Sequence, residues 1–566
     1  MSEPPQQPPV DGPGGADGSR HSALVAAGIL LSRITGLVRT AVVARFLGVG
    51  AVADAFQAAM RIPNLLQNLL GEGVLSASFI PVYSRLLAQG RRQEAGRVAA
   101  AIAGLLMALT GALALLGVAF AGPITRVIAV GFTGRTLDLA IALTRILFPG
   151  VGFLVLSAWC LGVLNSHRRF FLSYVAPVIW NVTQIAVLIV AARLLIGDQV
   201  VTARPSDAVL ERLAVALAWG VLAGGVLQFA VQLPTVLQLV GPLRPSLNVR
   251  LPGVRATLRS FWPVVTGRGV VQLMTYVDIA LASLLAEGAV SALEYATRLA
   301  LLPISLFGMS AAASELPALS SLESTESAGV ARRLAPTLAR IAFFVVPTMA
   351  AFVVIGDLLY DVVLLPLAAQ LVWLVLLGST VGLLSNTSSR LLQSALYADG
   401  DTRTPSRYAI LRVVVAALVG AVLMVQFDRI VLTDAGLAIT GSLPAFAPLP
   451  PAARATDPAE MLRLGAVGLA LAAGASSWLE FGLLRRHLAR RGIVVQLGGG
   501  FLARTVLAGV LAGGAGVGVR VLLAGQTLAL LLVATGGAIG MTYLALAAAL
   551  RLPQVDDLWQ MLSRRR

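Results

Sequence analysis

Three arginines, Arg33, Arg39 and Arg45, lie inside the first long apolar stretch of the chain, residues 23–47. A charged side chain at mid-bilayer costs roughly 2.5–3.5 kcal/mol even on a lenient insertion scale, so such residues normally face a water-filled cavity and an anionic partner. Arginine binds phosphate through two parallel hydrogen bonds and stays charged at any physiological pH. These residues therefore indicate the capture of a phosphate or pyrophosphate group within a membrane.

The spacing of the polar residues in this stretch defines one helical stripe. At 100° per residue, Ser32, Thr35 and Arg39 fall within a narrow angle and predict a polar, substrate-binding surface. Arg33 lies on a neighbouring stripe, where it either flanks that surface or pairs elsewhere; we include it among the substrate-binding candidates. Arg45 lies near the outer end of the stretch and can snorkel to the interface.

A second group of intramembrane charges follows later in the chain. One apolar stretch carries Arg268, Gln272 and Asp278, and the next carries Glu294 and Arg298. We predict Arg268 and Arg298 as further substrate-binding residues. Asp278 either holds a coupling ion, Na⁺ or H⁺, or forms a structural ion pair with Arg268.

The second apolar stretch contains residues that can bend or gate a helix. Pro63 should bend it, because a proline inside a helix removes a backbone hydrogen bond and clashes with the preceding turn. Glu72, between two glycines, is either a hinge or gate residue or a solvated helix terminus. Asp54 and Arg61 of the same stretch complete the gating or hinge candidates.

Residues for catalysis or metal binding are scarce. The histidines are His21, His167 and His487, all predicted in tails or loops, so we expect no metal site and no histidine-based triad in the membrane. No phosphate-binding Gly-Lys-Ser/Thr motif is present, so no ATP-driven motor is expected. The loop Asp428–Glu460, rich in Pro and Ala, is interpreted as a spacer. We therefore predict no enzyme and no cofactor, with either membrane potential or a coupling cation as the energy source.

The composition defines the elements that must position these residues. The chain has 566 residues, of which 57% are hydrophobic and 12% charged, with a mean hydropathy of +0.85. These values are typical of a polytopic membrane protein. Runs of about 20 apolar residues predict fourteen spans, at 23–47, 52–74, 98–121, 138–164, 172–195, 211–240, 262–286, 290–316, 330–355, 362–395, 408–427, 461–484, 501–523 and 526–550.

The positive charge follows the predicted topology. The formal net charge is +16, and all 43 basic residues are arginine. Most arginines outside the spans fall in loops after even-numbered spans, which places those loops and both termini in the cytoplasm by the positive-inside rule. Residues 1–20, rich in Pro and Gly, are predicted to be a disordered cytoplasmic tail.

The chain repeats itself at an offset of about 237 residues. The segment from Gly50 matches the segment from Gly288, and ten residues from Ala77 match ten from Ala313 without a gap; the alternative is chance similarity between Ala-rich helices. Six spans separate the copies, so both run in the same direction. We predict an all-α membrane fold of two parallel six-helix repeats around a central cavity, an N-lobe (21–241) and a C-lobe (242–490), followed by two added helices and a basic tail (491–566).

Several motifs resemble the MurJ (MviN) lipid II flippases of the multidrug/oligosaccharidyl-lipid/polysaccharide exporter superfamily. The motifs are Ser32-Arg-Ile-Thr-Gly-Leu-Val-Arg39, Asp54-Ala-Phe, Pro63-Asn-Leu-Leu, Glu72-Gly and Phe79-Ile-Pro81, with supporting stretches from Gly162, Gly224 and Asp401. The resemblance implies a fourteen-helix flippase that moves an undecaprenyl-pyrophosphate-linked peptidoglycan precursor to the outer leaflet. It carries the family's cavity arginines onto Arg33, Arg39 and Arg298, and its helix 2 carboxylate onto Glu72.

The chain departs from the family pattern in two places. Gln67 and Asn68 stand where a further cavity arginine is usual, and Thr40 replaces an acidic residue often found after Arg39. Arg268 is a hypothetical compensation for the missing charge. The substrate expected is lipid II, with another polyprenyl-pyrophosphate saccharide as the alternative.

These observations predict a lipid-linked saccharide flippase working by alternating access in the bacterial cytoplasmic membrane. Its partners would be the anionic lipid-linked substrate, membrane lipids and proteins of cell-wall synthesis or division, and no nucleic acid. Three alternatives make different predictions. An ion-coupled small-solute or drug exporter would have an acidic cavity, a membrane glycosyltransferase or ligase would need carboxylates or histidines in outside loops, and a scaffold would tolerate loss of the arginines.

Overall fold

The computed structural model describes residues 16–197, 205–241, 244–320, 327–364, 366–433, 435–455, 461–496, 498 and 500–556. This part of the chain is helical apart from one small sheet and the connecting loops. The helices are α1 (Ala16–Leu47), α2 (Ala51–Leu70), α3 (Glu72–Ala88), α4 (Arg92–Ala119), α5 (Ala121–Ile128), α6 (Gly134–Ser166), α7 (Phe170–Ile196), α8 (Asp207–Val240), α9 (Pro252–Ser283), α10 (Ala289–Pro303), α11 (Ser310–Ser320), α12 (Ser327–Asp361), α13 (Pro366–Thr380), α14 (Leu383–Ala398), α15 (Arg403–Phe427), α16 (Gly465–Arg490), α17 (Phe501–Leu522) and α18 (Leu528–Ala549).

Each predicted span coincides with a helix or a helix pair. Within the described residues, eleven helices are long and apolar enough to cross a membrane, and the bent pair α13 and α14 makes a twelfth. The other two predicted spans correspond to α1 and α9, each 32 residues long. The predicted all-α, multi-span membrane fold is confirmed.

The second predicted span, 52–74, is the N-terminal part of a longer, broken helix. Its helix α2 ends at Leu70, and α3 then continues to Ala88 beyond the predicted end. A Cβ atom on Gly71 would lie 2.2 Å from the carbonyl oxygen of Gln67, so only glycine fits at the break. Glu72 is consequently the first residue of α3.

A second break separates α13 from α14, which are bent by 45° relative to each other. Small residues make this bend possible: a Cβ atom on Gly382 would lie 2.5 Å from the carbonyl oxygen of Gly474 in α16. Such close approach of backbones through glycines is common between membrane helices. The glycines therefore bring α14 and α16 into direct contact.

The loop between α15 and α16 contains a small antiparallel sheet, so the interpretation of residues 428–460 as a simple spacer is wrong for its described part. Strand β1 (Ile430–Thr433) pairs with both β2 (Gly436–Ile439) and β3 (Met461–Arg463), in the order β2-β1-β3. Apolar side chains of β1 and β3, including Val431 and Leu462, are buried. The strands were not predicted because Pro and Ala, which are common in this loop, are depleted in β-strands.

The chain forms two compact units. Unit 1 falls within Met1–Val43, Met60–Ala121 and Ala142–Gly269, and unit 2 within Ala44–Ala59, Gly122–Ile141 and Val270–Arg566. The largest buried side chains of unit 1 include Trp159, Tyr83 and Phe79, and those of unit 2 include Phe343 and Leu334. The division into lobes at 241 and 490 stays a prediction.

Candidate functional site

Arg39, the central residue of the predicted polar stripe, is held by helix α7 in unit 1. Its Nη1 donates to Oε1 of Gln184 at 3.4 Å, and its guanidinium carbon lies 4.8 Å from the ring centroid of Trp180. The amide of Gln184 is itself oriented, because its Nε2 donates to the carbonyl oxygen of Trp180. These contacts hold the half-buried guanidinium with a neutral amide and an aromatic face.

Ser32 and Thr35 lie on the same side of α1 as Arg39. Nδ2 of Asn181 donates to Oγ1 of Thr35 at 3.2 Å and to the carbonyl oxygen of Ser32 at 3.4 Å. A Cβ atom on Gly36 would lie 3.7 Å from that same amide nitrogen. The polar stripe is thus the surface through which α1 packs on α7, and hydrogen bonds across helices hold it there.

Arg33 lies on a different face of α1. Its side chain is exposed, together with those of Leu30, Ile34 and Leu37. Arg45, in the last turn of α1, is also exposed. The structure therefore brings Ser32, Thr35 and Arg39 together on the face that packs against α7 and places Arg33 outside that group.

Arg298 forms an ion pair within its own helix, α10 of unit 2. Its Nε donates to Oε1 of Glu294 at 2.7 Å, and its Nη2 lies 2.6 Å from the same oxygen. The Glu294 side chain is buried, whereas that of Arg298 is 40% exposed. One carboxylate thus orients the guanidinium and leaves part of it accessible.

Asp54 of α2 caps the N-terminus of α10, and both belong to unit 2. Its Oδ2 accepts from the backbone N–H of Gly288 at 2.8 Å, and its Oδ1 accepts from that of Ser291 at 2.7 Å. The side chain is only 2% exposed. A carboxylate at this position satisfies free N–H groups of the first helical turn and interacts favourably with the helix dipole.

The capping contact joins the two segments that match each other in sequence. In the first copy Asp54 N–H donates to the carbonyl oxygen of Gly50, and in the second Ala292 N–H donates to that of Gly288, both at 2.9 Å. The hydroxyl of Tyr295 adds a hydrogen bond to the carbonyl oxygen of Gly48. The start of α2 is therefore bonded to the start of α10 by side chain and backbone.

The remaining predicted residues lie in α2, α3 and α9. Arg61 is half-buried and Pro63 buried, both in α2, and Asp278 is exposed in α9. The side chains of Glu72 and Arg268 lie outside the described part of the structure. Their predicted roles, and the ion pair of Arg268 with Asp278, stay predictions.

Sequence reasoning missed the partners of Arg39. The residues Trp180, Asn181 and Gln184 lie one, and then three, positions apart in an otherwise apolar helix. Amide side chains inside a membrane span are costly unless they have hydrogen-bond partners. The presence of these amides in an apolar span is the signal that would have identified α7 as the helix that packs against the polar stripe of α1.

His167 and His487 belong to no metal-binding group among the described residues. In the ranges that the structure covers, no group of three or more His, Cys, Asp and Glu side chains is arranged to hold a metal ion. His167, in the loop between α6 and α7, lies 3.0 Å from the hydroxyl of Tyr83. Burial, with the nearby charge of Arg92, lowers the pKa of His167 below its usual value.

The fold and these charged groups define a class: multi-span transporters with arginines inside the membrane. The structure matches a solved lipid II flippase MurJ in an inward closed conformation with a TM-score of 0.69 and 19% identity, covering 93% of this chain and 98% of that one. It also matches an inward-facing multidrug MATE transporter of the MOP superfamily, with a TM-score of 0.57 and 15% identity, covering 81% and 95% of the two chains.

Sequence comparisons define the family. Residues 43–445 match the family model described as lipid II flippase MurJ. The lipid II flippase MurJ of Burkholderia cenocepacia is 32% identical over 67% of this chain and 73% of its own length. A probable lipid II flippase MurJ of Vibrio cholerae is 31% identical, over 75% of this chain and 80% of its own. The chain belongs to the MurJ family of lipid II flippases.

Proposed function

We propose that this protein moves lipid II, the undecaprenyl-pyrophosphate-linked peptidoglycan precursor, from the inner to the outer leaflet of the bacterial cytoplasmic membrane. Family membership supports this function, and the observation that carries the chemistry is the setting of Arg39. An arginine inside a membrane helix, oriented by Trp180 and Gln184, is a ready donor for a pyrophosphate. The polyprenyl tail would remain in the lipid.

In this mechanism Arg298 exchanges the carboxylate of Glu294 for a phosphate of the substrate. Glu294 holds it in the absence of substrate, and the accessible part of the guanidinium is where a phosphate oxygen would first bind. The carboxylate would keep the side chain in place until the pyrophosphate arrives. Arg39 requires no such exchange with Gln184, because the amide is neutral.

Alternating access would use the bond between Asp54 and α10 as a reversible lock. Breaking it exposes a carboxylate and the N–H groups of Gly288 and Ser291, all of which water can solvate outside the membrane. Rocking of the two sequence repeats would then open the outer side. Both termini are proposed to lie in the cytoplasm, on the basis of the arginine distribution.

Resetting the carrier requires an energy source, and we propose a monovalent cation or the membrane potential. Asp278 remains the candidate from sequence. A further candidate is Asp428, directly after α15, whose carboxylate is buried. A cation bound at either carboxylate would bias the two access states, and replacement by Asn would remove the dependence of transport on that cation.

The test of the proposed function is complementation of a flippase-depleted bacterium, with lipid II exposed on the outer leaflet as the readout. Wild type should rescue growth, whereas Arg39→Ala and Arg298→Ala should fail at normal membrane abundance. Arg45→Ala, on the exposed outer end of α1, is the matched control and should rescue. Failure of a correctly inserted wild type would point to another lipid-linked saccharide, and rescue by both arginine variants would exclude capture by these residues.

A further inference from the structure

Helix α14 carries a polar stripe that the proposed mechanism does not use. The residues Asn386, Arg390, Gln393 and Tyr397 follow one another at spacings of four, three and four, so they share one face. Arg390 and Tyr397 are the exposed residues of this helix, and eleven others are buried. An arginine exposed within a membrane span requires water or an anionic partner.

Neighbouring elements enclose α14 on its other sides. A Cβ atom on Gly308, in the π-helical turn Ile304–Met309, would lie 2.9 Å from the carbonyl oxygen of Thr387. On another side, Ser385 is hydrogen-bonded to Ser477 of α16. Both contacts lie within unit 2. Arg390 and Tyr397 thus lie on the part of α14 left open by this packing.

One buried carboxylate organises the charges next to the stripe. Glu480 of α16 is 3% exposed; its Oε1 accepts from Gln393 at 2.7 Å and its Oε2 lies 3.2 Å from Nε of Arg412. Arg390 is close enough to interact electrostatically with both Glu480 and Arg412. Among the described residues Arg390 makes no hydrogen bond or ion pair. Two guanidinium groups thus lie near one carboxylate, which pairs with Arg412, and a positive charge is left over.

These groups lie at one depth in the membrane. Arg390 is eight residues from the end of α14, Arg412 nine from the start of α15, and Glu480 ten from the end of α16. The same helix ends are joined by Arg491, which pairs with Asp401 at 2.7 Å. At 1.5 Å per residue, Arg390, Arg412 and Glu480 lie about 12–15 Å from these helix ends, which is near mid-membrane. An uncompensated charge at that depth is costly without an anion or water.

We propose that Arg390, with the hydroxyl of Tyr397 two turns along the same face, binds a phosphate group at a second site inside the membrane. Arginine and phenol groups both donate hydrogen bonds, and phosphate offers several acceptor oxygens in return. Glu480 holds Arg412 in place and limits the positive charge. This site rests on the proposed function and deepens it. With the predicted orientation, Arg390 lies closer to the cytoplasmic side of the membrane than Arg39 and Arg298 do. A pyrophosphate would therefore bind at Arg390 before it reaches those two arginines.

The experiment measures equilibrium binding of radiolabelled geranylgeranyl pyrophosphate to the purified full chain in phosphatidylcholine nanodiscs. Wild type should show two sites per protein. Arg390→Gln should lose one, with affinity there falling at least about tenfold because a charged hydrogen-bond donor is removed. Arg390→Lys should retain part of that affinity, and Arg407→Gln, an exposed arginine in the first turns of α15, should bind like wild type. Thermal unfolding of each variant serves as the check on folding.

The outcomes separate this site from the one at Arg39. Loss of one site in Arg390→Gln and of the other in Arg39→Ala supports both proposals. If Arg390→Gln keeps every wild-type site while Arg39→Ala loses binding, the second site is overturned and the proposed function stands. If Arg390→Gln loses a site and Arg39→Ala loses none, the second site stands and the role of Arg39 fails.

A lipid exchange identifies the source of the phosphate. Replacing part of the phosphatidylcholine by phosphatidylglycerol should leave two sites if Arg390 binds the substrate pyrophosphate. A fall to one site, confined to proteins that retain Arg390, would show that a phospholipid headgroup fills it. Both results support a phosphate site, whereas a fall of the same size in Arg390→Gln would contradict it.

Discussion

At the scale of single residues, the arginines of this protein differ in what holds them. Arg39 is oriented by a ring and an amide, whereas Arg298 and Arg412 are each bonded to a carboxylate. A neutral partner orients a guanidinium without satisfying its charge, while a carboxylate must be displaced before an anion binds at the same donors. At the contact between Arg39 and Gln184, a pyrophosphate therefore has no carboxylate to displace.

For pyrophosphate binding, the charge of residue 184 should matter more than its hydrogen bond to Arg39. Gln184→Glu places a carboxylate 3.4 Å from Arg39, and an intramolecular ion pair should then compete with pyrophosphate. We expect at least a tenfold loss of pyrophosphate affinity, since charged hydrogen bonds contribute about 1.5–3 kcal/mol. Gln184→Met, which removes the acceptor without adding charge, should lose only a few-fold.

The measurement for Gln184 is binding of a polyprenyl pyrophosphate, with thermal unfolding recorded in parallel. If Gln184 serves only to hold Arg39 in place, the affinity for pyrophosphate should be higher in Gln184→Glu than in Gln184→Met. Glu would keep and strengthen the bond to Arg39, whereas Met would abolish it. Equal affinity of Gln184→Glu and wild type would therefore contradict capture by Arg39.

At the scale of elements, the contact between α2 and α10 is a helix cap supplied by another helix. Asp54→Asn should weaken it, because an amide can accept only one of the two N–H bonds and its NH₂ group opposes the other. The loss should be roughly 1–3 kcal/mol, which shifts an open-closed equilibrium about tenfold towards open. Gly288→Ala should act likewise, since φ is +93° and its Cβ would lie 2.7 Å from Cγ1 of Val49.

Accessibility of a buried cysteine tests this cap. In a Cys160→Ala background, Ala289→Cys should react slowly with a membrane-impermeant maleimide, because Ala289 is buried. Adding Asp54→Asn should raise the labelling rate about tenfold. The control Asp207→Asn, an exposed carboxylate in the first turn of α8, should leave it unchanged. Equal rates in all three proteins would show that Asp54 does not hold this end closed.

The small sheet after α15 provides a pH-dependent element. Burial raises the pKa of Asp428 to about 6 from its usual 3.8, against the opposing effect of Arg463. A carboxyl whose pKa is raised on folding destabilises the fold when ionised, so stability should fall as pH rises from about 4 to about 6. With 1.36 kcal/mol per pKa unit, Asp428→Asn should gain about 2–3 kcal/mol at pH 7 and nothing at pH 4.

Thermal unfolding of Asp428→Asn and wild type at pH 4 and 7, with and without Na⁺, checks this prediction. A difference at pH 7 that is independent of Na⁺ supports simple burial of the carboxylate. If Na⁺ stabilises wild type and not the variant, the carboxylate holds a cation instead, which would favour Asp428 over Asp278 as the coupling site.

At the scale of the whole molecule, the sequence determined the helices more fully than the site. Each predicted span overlaps a helix or a helix pair, because a bilayer requires apolar side chains and continuous backbone hydrogen bonding. The stripe of Ser32, Thr35 and Arg39 was also predictable from helical spacing. Its partner Gln184 and the cap at Gly288 were not, because each lies more than 140 residues away and depends on how helices pack.

The last two described helices, α17 and α18, are joined to α12 of unit 2 by an ion pair as well as by packing. Both terminal nitrogens of Arg520 bind the carboxylate of Asp357 in α12, with Nη1 also donating to the carbonyl oxygen of Val354. Removing one partner of a fully buried pair costs about 3–5 kcal/mol, whereas replacing both by apolar residues is often neutral. The Arg520 side chain is 35% exposed, so Arg520→Met alone should cost less than that, and the double variant Arg520→Met, Asp357→Leu should recover most of the loss. Thermal unfolding together with lipid II exposure in cells distinguishes two roles for this pair. A double variant that is stable and active would show that the pair serves only to attach α17 and α18, whereas a stable but inactive one would show that transport itself requires these charges.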